Sequence, residues 1–167
     1  MRGRASQTRW ALLAIWAGLV ACIAGVAHAE GEPRFADGAA LFQANCAVCH
    51  RATGAGTPGL APPLTSVAPR YVSTPEGRRQ LAMTVLFGMY GDIVVDERHY
   101  NFRMPEFSQL DDTALAAVLN HVVFDLGHAP PAAAPLAAAE VAAERAHVVD
   151  GAQVREHRAE VVSRLAP

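Results

Sequence analysis

Five residues, Cys46-Ala47-Val48-Cys49-His50, constrain this chain more than any other stretch. On one turn of helix Cys46 and Cys49 stand at i and i+3 and His50 at i+4, so two thiols and one imidazole share a face. That set suits one chemistry in particular: the thiols add to the two vinyl groups of a haem and the imidazole reaches its iron. Competing readings lack partners. A zinc tetrahedron needs further Cys or His ligands at matching spacing, and the third cysteine, Cys22, lies in an apolar N-terminal run. A thioredoxin-like redox pair would follow a strand, whereas the approach from Asp37 to Asn45 reads as helix.

The 167 residues allow one ordinary domain plus extras. Residues 1–29 read as a targeting segment: Arg2, Arg4 and Arg9 at the start, an apolar run from Trp10 to Val26, then Ala27-His28-Ala29 as a small-x-small cleavage site. With no Arg-Arg pair in it, the general secretory route is expected. Two other readings compete. Leu19-Val20-Ala21-Cys22 resembles a lipobox, with a lipid on Cys22, and the apolar run is near the lower limit for an uncleaved membrane anchor. All three place the domain outside the cytoplasmic membrane, in the periplasm, where thiols kept for haem must be guarded from disulfide formation. The chain contains no lysine, and beyond residue 29 eleven arginines face sixteen acids, a net of −5 with His neutral. Nucleic acid is therefore not an expected partner, since it needs a basic footprint.

Residues 30–35 form an irregular lead-in. Asp37 is expected to cap a first helix carrying Gly38 and Phe42 on one face, where a glycine usually marks the close approach of another helix. After the motif, Thr53 to Gly59 and Ala61-Pro62-Pro63-Leu64 exclude regular structure. Folded against a haem edge, this loop would bring the Pro62 carbonyl to the free ring N–H of His50, a partner that fixes ring orientation and raises basicity. Thr74-Pro75-Glu76 starts a helix running to about Phe87, with Leu81, Val85 and Leu86 inward and Met83 and Met89 read as core. Ile93-Val94-Val95 and Arg98-His99-Tyr100 suggest a small hairpin turning at Asp96-Glu97. A last helix capped by Asp111 carries Leu115, Val118, Leu119 and Val122 at i, i+3, i+4 and i+7 and ends at Gly127. Residues 128–167 read as an Ala/Pro linker and a short helical tail. A weak repeat lies there at an offset of thirteen: Ala139-Glu140-Val141 with Arg145 against Ala152-Gln153-Val154 with Arg158. Each copy has little apolar surface, so marginal order is expected.

The second iron ligand comes from a countable set: Met104, Met83, Met89, His99, His121 and His128 follow the motif. Met104 stands out because Pro105 holds it extended in a loop just before the last helix, from where it can approach the haem face opposite His50. His99 is the reserve.

These features resemble a class I cytochrome c of a bacterial periplasm. The resemblance covers about residues 36–127 and rests on Cys46, Cys49 and His50, Pro62-x-Leu64, Met104-Pro105 and the Gly38/Phe42 face. It implies an all-α cytochrome c fold with short loops and a small β-hairpin before the methionine ligand. It also implies one covalent haem c, a first helix crossing the last, and single-electron transfer rather than catalysis. The family's last helix often carries an aromatic at the crossing, where His121 stands here. The stretch from Gly91 to Pro105 resembles cytochrome domains attached to copper nitrite reductases, terminal oxidases and periplasmic dehydrogenases, which suggests a dedicated redox partner. Tyr100 and Asn101 are read as cofactor-side groups near Met104 or a propionate, and Arg70 and Tyr71 as groups at the haem edge. The alternative, should Met104 not bind iron, is a haem enzyme or gas sensor with an open position. A further reading gives the function to the tail as a docking element.

Overall fold

The computed structural model describes residues 33–165; the targeting-segment reading of residues 1–29, Cys22 included, falls outside them. The described chain is helical apart from one two-stranded antiparallel sheet. In order come α1 (Ala36–Asn45), α2 (Ala47–His50), α3 (Ala68–Tyr71), α4 (Pro75–Phe87), the hairpin β1 (Ile93–Val95) and β2 (Arg98–Tyr100), α5 (Asp112–Asn120), α6 (Ala138–Arg145) and α7 (Gly151–Arg164).

Local chemistry sets most boundaries. Thr74 Oγ1 accepts from the Gly77 N–H at 3.0 Å and Pro75 opens α4, which stops at Gly88 with φ +68°. Gly88 also leaves room for another strand: a Cβ there would lie 2.4 Å from the Met104 carbonyl oxygen. Asp111 accepts from Ala114 N–H at 2.8 Å and caps α5. The hairpin pairs Ile93 with Tyr100 and Val95 with Arg98, and its turn residues Asp96 and Glu97 both have positive φ, as a two-residue hairpin turn requires.

α1 crosses α5 closely enough that only glycine fits. A Cβ on Gly38 would sit 2.0 Å from the Ala117 carbonyl oxygen, and one turn on, the fully buried Phe42 ring lies 5.5 Å from the His121 ring. The core built around this crossing contains Phe42, Leu86, Leu115 and Val123.

Three expectations change. Asp37 does not cap α1, which begins one residue earlier; the Asp125 carboxylate, ninety residues away, instead accepts from the Arg34 and Phe35 N–H groups at 3.1 Å each. Asp37 stays in the first turn, where its charge suits the helix dipole. The last domain helix does not remain α-helical to Gly127. It widens to a π-helix over His121–Leu126, and His121 Nδ1 lies 2.9 Å from the Asp125 carboxylate. Finally, the tail is docked rather than marginally ordered. Buried Asn120 holds Leu136 by both backbone groups, at 2.7 and 3.0 Å. Arg78 grips Glu140 through two contacts of 2.6 Å and donates to the carbonyls of Ala134 and Pro135. Arg145 binds Asp112 and the carbonyls of Ser108 and Leu110. Polar clamps do what the scarce apolar surface cannot.

Candidate haem site

The short helix α2 carries the motif, with backbone bonds from Cys49 and His50 N–H back to Cys46 O. Both cysteines are free thiols and line one cavity with His50. The loop after α2 folds back across them without regular structure. Gly56 N–H donates to His50 O, Leu64 N–H to Gly54 O, and Thr57 Oγ1 to Cys49 O. The same loop brings the Pro62 carbonyl 3.0 Å from His50 Nδ1. A carbonyl oxygen can only accept, so Nδ1 donates and Nε2 is left as the free lone pair.

Electrostatics suit that arrangement. Burial pushes the His50 imidazole below its usual range, against the pull of the Pro62 hydrogen bond, so the ring is neutral as a metal ligand must be. Burial, with Cys49 adding to it, pushes the Cys46 thiol up to about 11. Cys46 is thus a neutral thiol at pH 7 rather than a thiolate.

The cavity measures about 250 Å³. One water needs roughly 10–15 Å³ of such space, so this is room for about twenty waters behind mostly apolar walls. No close-packed interior leaves a gap of that size. Phe42, Leu81, Val85, Leu119 and Val122 form its floor, and the hairpin supplies Ile93, Val95 and Tyr100. Met104 lines it from the loop before α5, held by paired backbone bonds to Met89 at 2.8 and 3.2 Å. The Tyr71 hydroxyl and the Arg158 guanidinium, close enough to interact, give it one polar corner. A large, flat, apolar group with a polar edge fits this cavity. The residues present therefore suit a haem.

Of the remaining iron-ligand candidates, the structure brings only Met89 into the cavity. Met83 is buried elsewhere; His99 is exposed against Asp92 at 2.9 Å; His121 is turned to Asp125, and His128 is exposed. Tyr71 and Tyr100 line the cavity, while Asn101 and Arg70 do not. Asn101 follows Tyr100 out of β2, and successive side chains of an extended strand face opposite ways. Arg70 precedes Tyr71 on α3 and is directed outward, donating to the Leu165 carbonyl. Two cavity residues escaped the sequence reading. Gln80 is buried between Thr84 (2.9 Å) and His157 (2.6 Å), and Arg158 reaches the cavity from α7. The thirteen-residue repeat that pairs Arg158 with Arg145 is the one signal that pointed at Arg158.

An apolar cavity in a helical shell, bordered by a thiol pair at haem-attachment spacing and a neutral, oriented imidazole, defines a c-type cytochrome. The Cytochrome c family model matches residues 35–123, more than half of the chain, and the protein belongs to that family. Cytochrome c-552 of Thermus thermophilus is 38% identical over 125 residues, covering 74% of this chain and 95% of the relative. A second cytochrome c-552, from a named strain of the same organism, is likewise 38% identical over 125 residues, with 84% of its length covered. The protein thus carries one covalent haem c, for which Cys46 and Cys49 have the required spacing, and it works as an electron carrier. No helix among the described residues is long and apolar enough to cross a membrane.

Proposed function

We propose that His50 and Met104 are the axial ligands of the haem iron, and that the protein passes single electrons between redox proteins outside the cytoplasmic membrane. The observation that carries this reading is the elimination inside the cavity. Of the His and Met residues after the motif, only Met89 and Met104 line it with His50, and of the two Met104 is the one held extended by a following proline, Pro105, in the loop before α5. Met104 sits on a segment fixed by its pairing to Met89, by the space Gly88 leaves, and by Pro105.

Bound haem supplies a one-electron ferric–ferrous couple. The chain's own residues do the rest. Cys46 and Cys49 anchor, Pro62 holds the His50 ring in one orientation and tautomer, and a Met104 thioether favours the ferrous state and raises the potential. With His50 and Met104 both on the iron, no coordination position would be left open to a reactant. Val48 and Phe102, strongly exposed beside the cavity, give a redox partner an apolar rim to cover. That partner is of the dehydrogenase, reductase or terminal-oxidase class. Export of residues 30–167 to the periplasm rests on the reading of residues 1–29, with the general secretory route as the path.

The test is the weak far-red charge-transfer band of ferric, thioether-ligated haem. Met104→Ala should abolish it and lower the midpoint potential, while Met89→Ala should keep it. The reverse pattern moves the ligand to Met89; a band absent from the unmodified protein rules out a thioether ligand and returns the site to the open, gas- or peroxide-binding reading or to a second histidine.

A further inference from the structure

A polar path crosses the wall of the haem cavity at α4. Gln80 and Thr84, one turn apart, stand beside Leu81 and Val85 on the cavity side of that helix, and Gln80 is only 2% exposed. A buried amide in an apolar wall is costly unless its groups are bonded. Here they are. Gln80 Nε2 donates to Thr84 Oγ1 at 2.9 Å, and the Thr84 hydroxyl donates to the Gln80 carbonyl at 2.7 Å. Gln80 Oε1 accepts from His157 Nδ1 of α7 at 2.6 Å. An amide oxygen can only accept, so neutral His157 carries its proton on Nδ1 and keeps a lone pair on Nε2. One side chain thus separates a half-buried titratable ring from the cofactor site. The ring belongs to a helix wholly beyond the matched span of residues 35–123, so the family match assigns it no part.

We propose that His157 takes up a proton as the haem is reduced, with Gln80 and Thr84 as the fixed bridge between ring and cofactor, so that electron transfer by this chain is coupled to protonation of its C-terminal helix. Reduction brings one electron from the donor protein and removes one positive charge from the iron. The proton comes from solvent and adds to Nε2, and oxidation returns both. Like charges repel, so ferric iron opposes an imidazolium across the bridge more than ferrous iron does. The ring's other surroundings nearly balance. Arg79 of α4 and Arg164 of α7 oppose protonation, Glu144 of α6 and Glu160 of α7 favour it, and Arg79 is paired with Glu144 at 2.9 Å. Arg78 and Glu140, the adjacent pair on α4 and α6, bind each other. Arg158, the next residue, lines the cavity and donates to the Val94 carbonyl of β1. Burial and then the Arg79 charge hold the imidazole below its ordinary 6.5, so it is uncharged at neutral pH and takes its proton in the acid range. The coupling requires haem in the cavity but no particular second iron ligand, so Met104 and His157 stand or fall separately.

The test uses the haem-loaded full chain. Nuclear magnetic resonance of the His157 ring, assigned in isotope-labelled protein, is followed against pH in the ferrous and the ferric state. Proton affinity should be about fivefold higher in the ferrous state. By reciprocity the midpoint potential should rise as pH falls from 6.5 through the His157 titration, and this slope should flatten in His157→Gln. His147→Gln, at an exposed tail position, should keep the unmodified curve. Gln80→Met removes the bridge and should shrink the difference between the two ring titrations. Release of the tail by acid would move both titrations alike, so it cannot produce that difference. Should His157→Gln fail to fold, the two ring titrations of the unmodified protein decide alone. Equal titration midpoints in the two oxidation states, or an undiminished potential slope in His157→Gln, overturns the proposal.

Discussion

Around the cavity, α1, α4 and α5 meet through Phe42, Leu86, Leu115 and Val123, while α6 and α7 offer chiefly Val141, Val154 and Val161. The first group is held by apolar burial across a tight helix crossing. The second is held by arginines and one asparagine reaching backbone carbonyls and carboxylates. Apolar burial is non-directional and survives small shifts, whereas the clamps depend on single atoms. The tail should therefore release as a unit when one clamp is cut, while the pocket fails together with the fold.

That contrast can be broken at its strongest point first. A side chain at Gly38 has no space beside Ala117, so Gly38→Val should destabilise the whole protein by about 3 kcal/mol or more, read as a lower denaturant midpoint of helical circular dichroism. Release of the tail alone, with α1 and α5 intact, would show that the crossing is not central. Next in size is Asn120→Ala, which strips two hydrogen bonds from Leu136 and leaves buried backbone groups unpaired. Its cost should be about 2 kcal/mol and should show in hydrogen exchange as lost protection in α6 and α7 before α4. Arg78→Met comes third, at about 1 kcal/mol because Glu140 is partly exposed; its effect should shrink but not vanish when Glu140→Gln is already present, since the bonds to the Ala134 and Pro135 carbonyls are still lost.

The smallest effect is set by pH. Burial, and next to it the charge of Arg79, holds the His157 imidazole below its ordinary value of 6.5. The Arg78 hydrogen bond holds Glu140 below 4.5. In both cases the unfolded chain binds protons more readily than the folded one, so acid favours release. Tail protection should be level above pH 6.5, decline as pH falls below it, and decline again below 4.5. Protection that rises on acidification would contradict the role of both groups.

How much of this was legible follows from range. The haem motif, the Thr74-Pro75 start, the Asp111 cap and the Asp96-Glu97 hairpin are set by neighbours within a few residues, and the sequence displays them. Asp125 binding the Arg34 and Phe35 N–H groups ahead of α1, Arg158 in place of Arg70 at the cavity, and the docking of Leu136 on Asn120 join residues far apart in the chain. No local pattern announces such pairs. Asp37 looked like a cap because the sequence around it could not show that the helix already begins at Ala36, which leaves Asp37 inside its first turn. The tail looked loose for a related reason: its apolar residues are few, and the partners of its charges lie on other helices.

The central claim is that this chain grips one iron from both sides and leaves no position for a reactant. Carbon monoxide added to the reduced protein at neutral pH tests it most directly. An unchanged absorption spectrum is the predicted result, with a carbonyl spectrum appearing only once Met104 has been replaced by alanine. Rapid carbon monoxide binding by the unmodified protein would contradict the account.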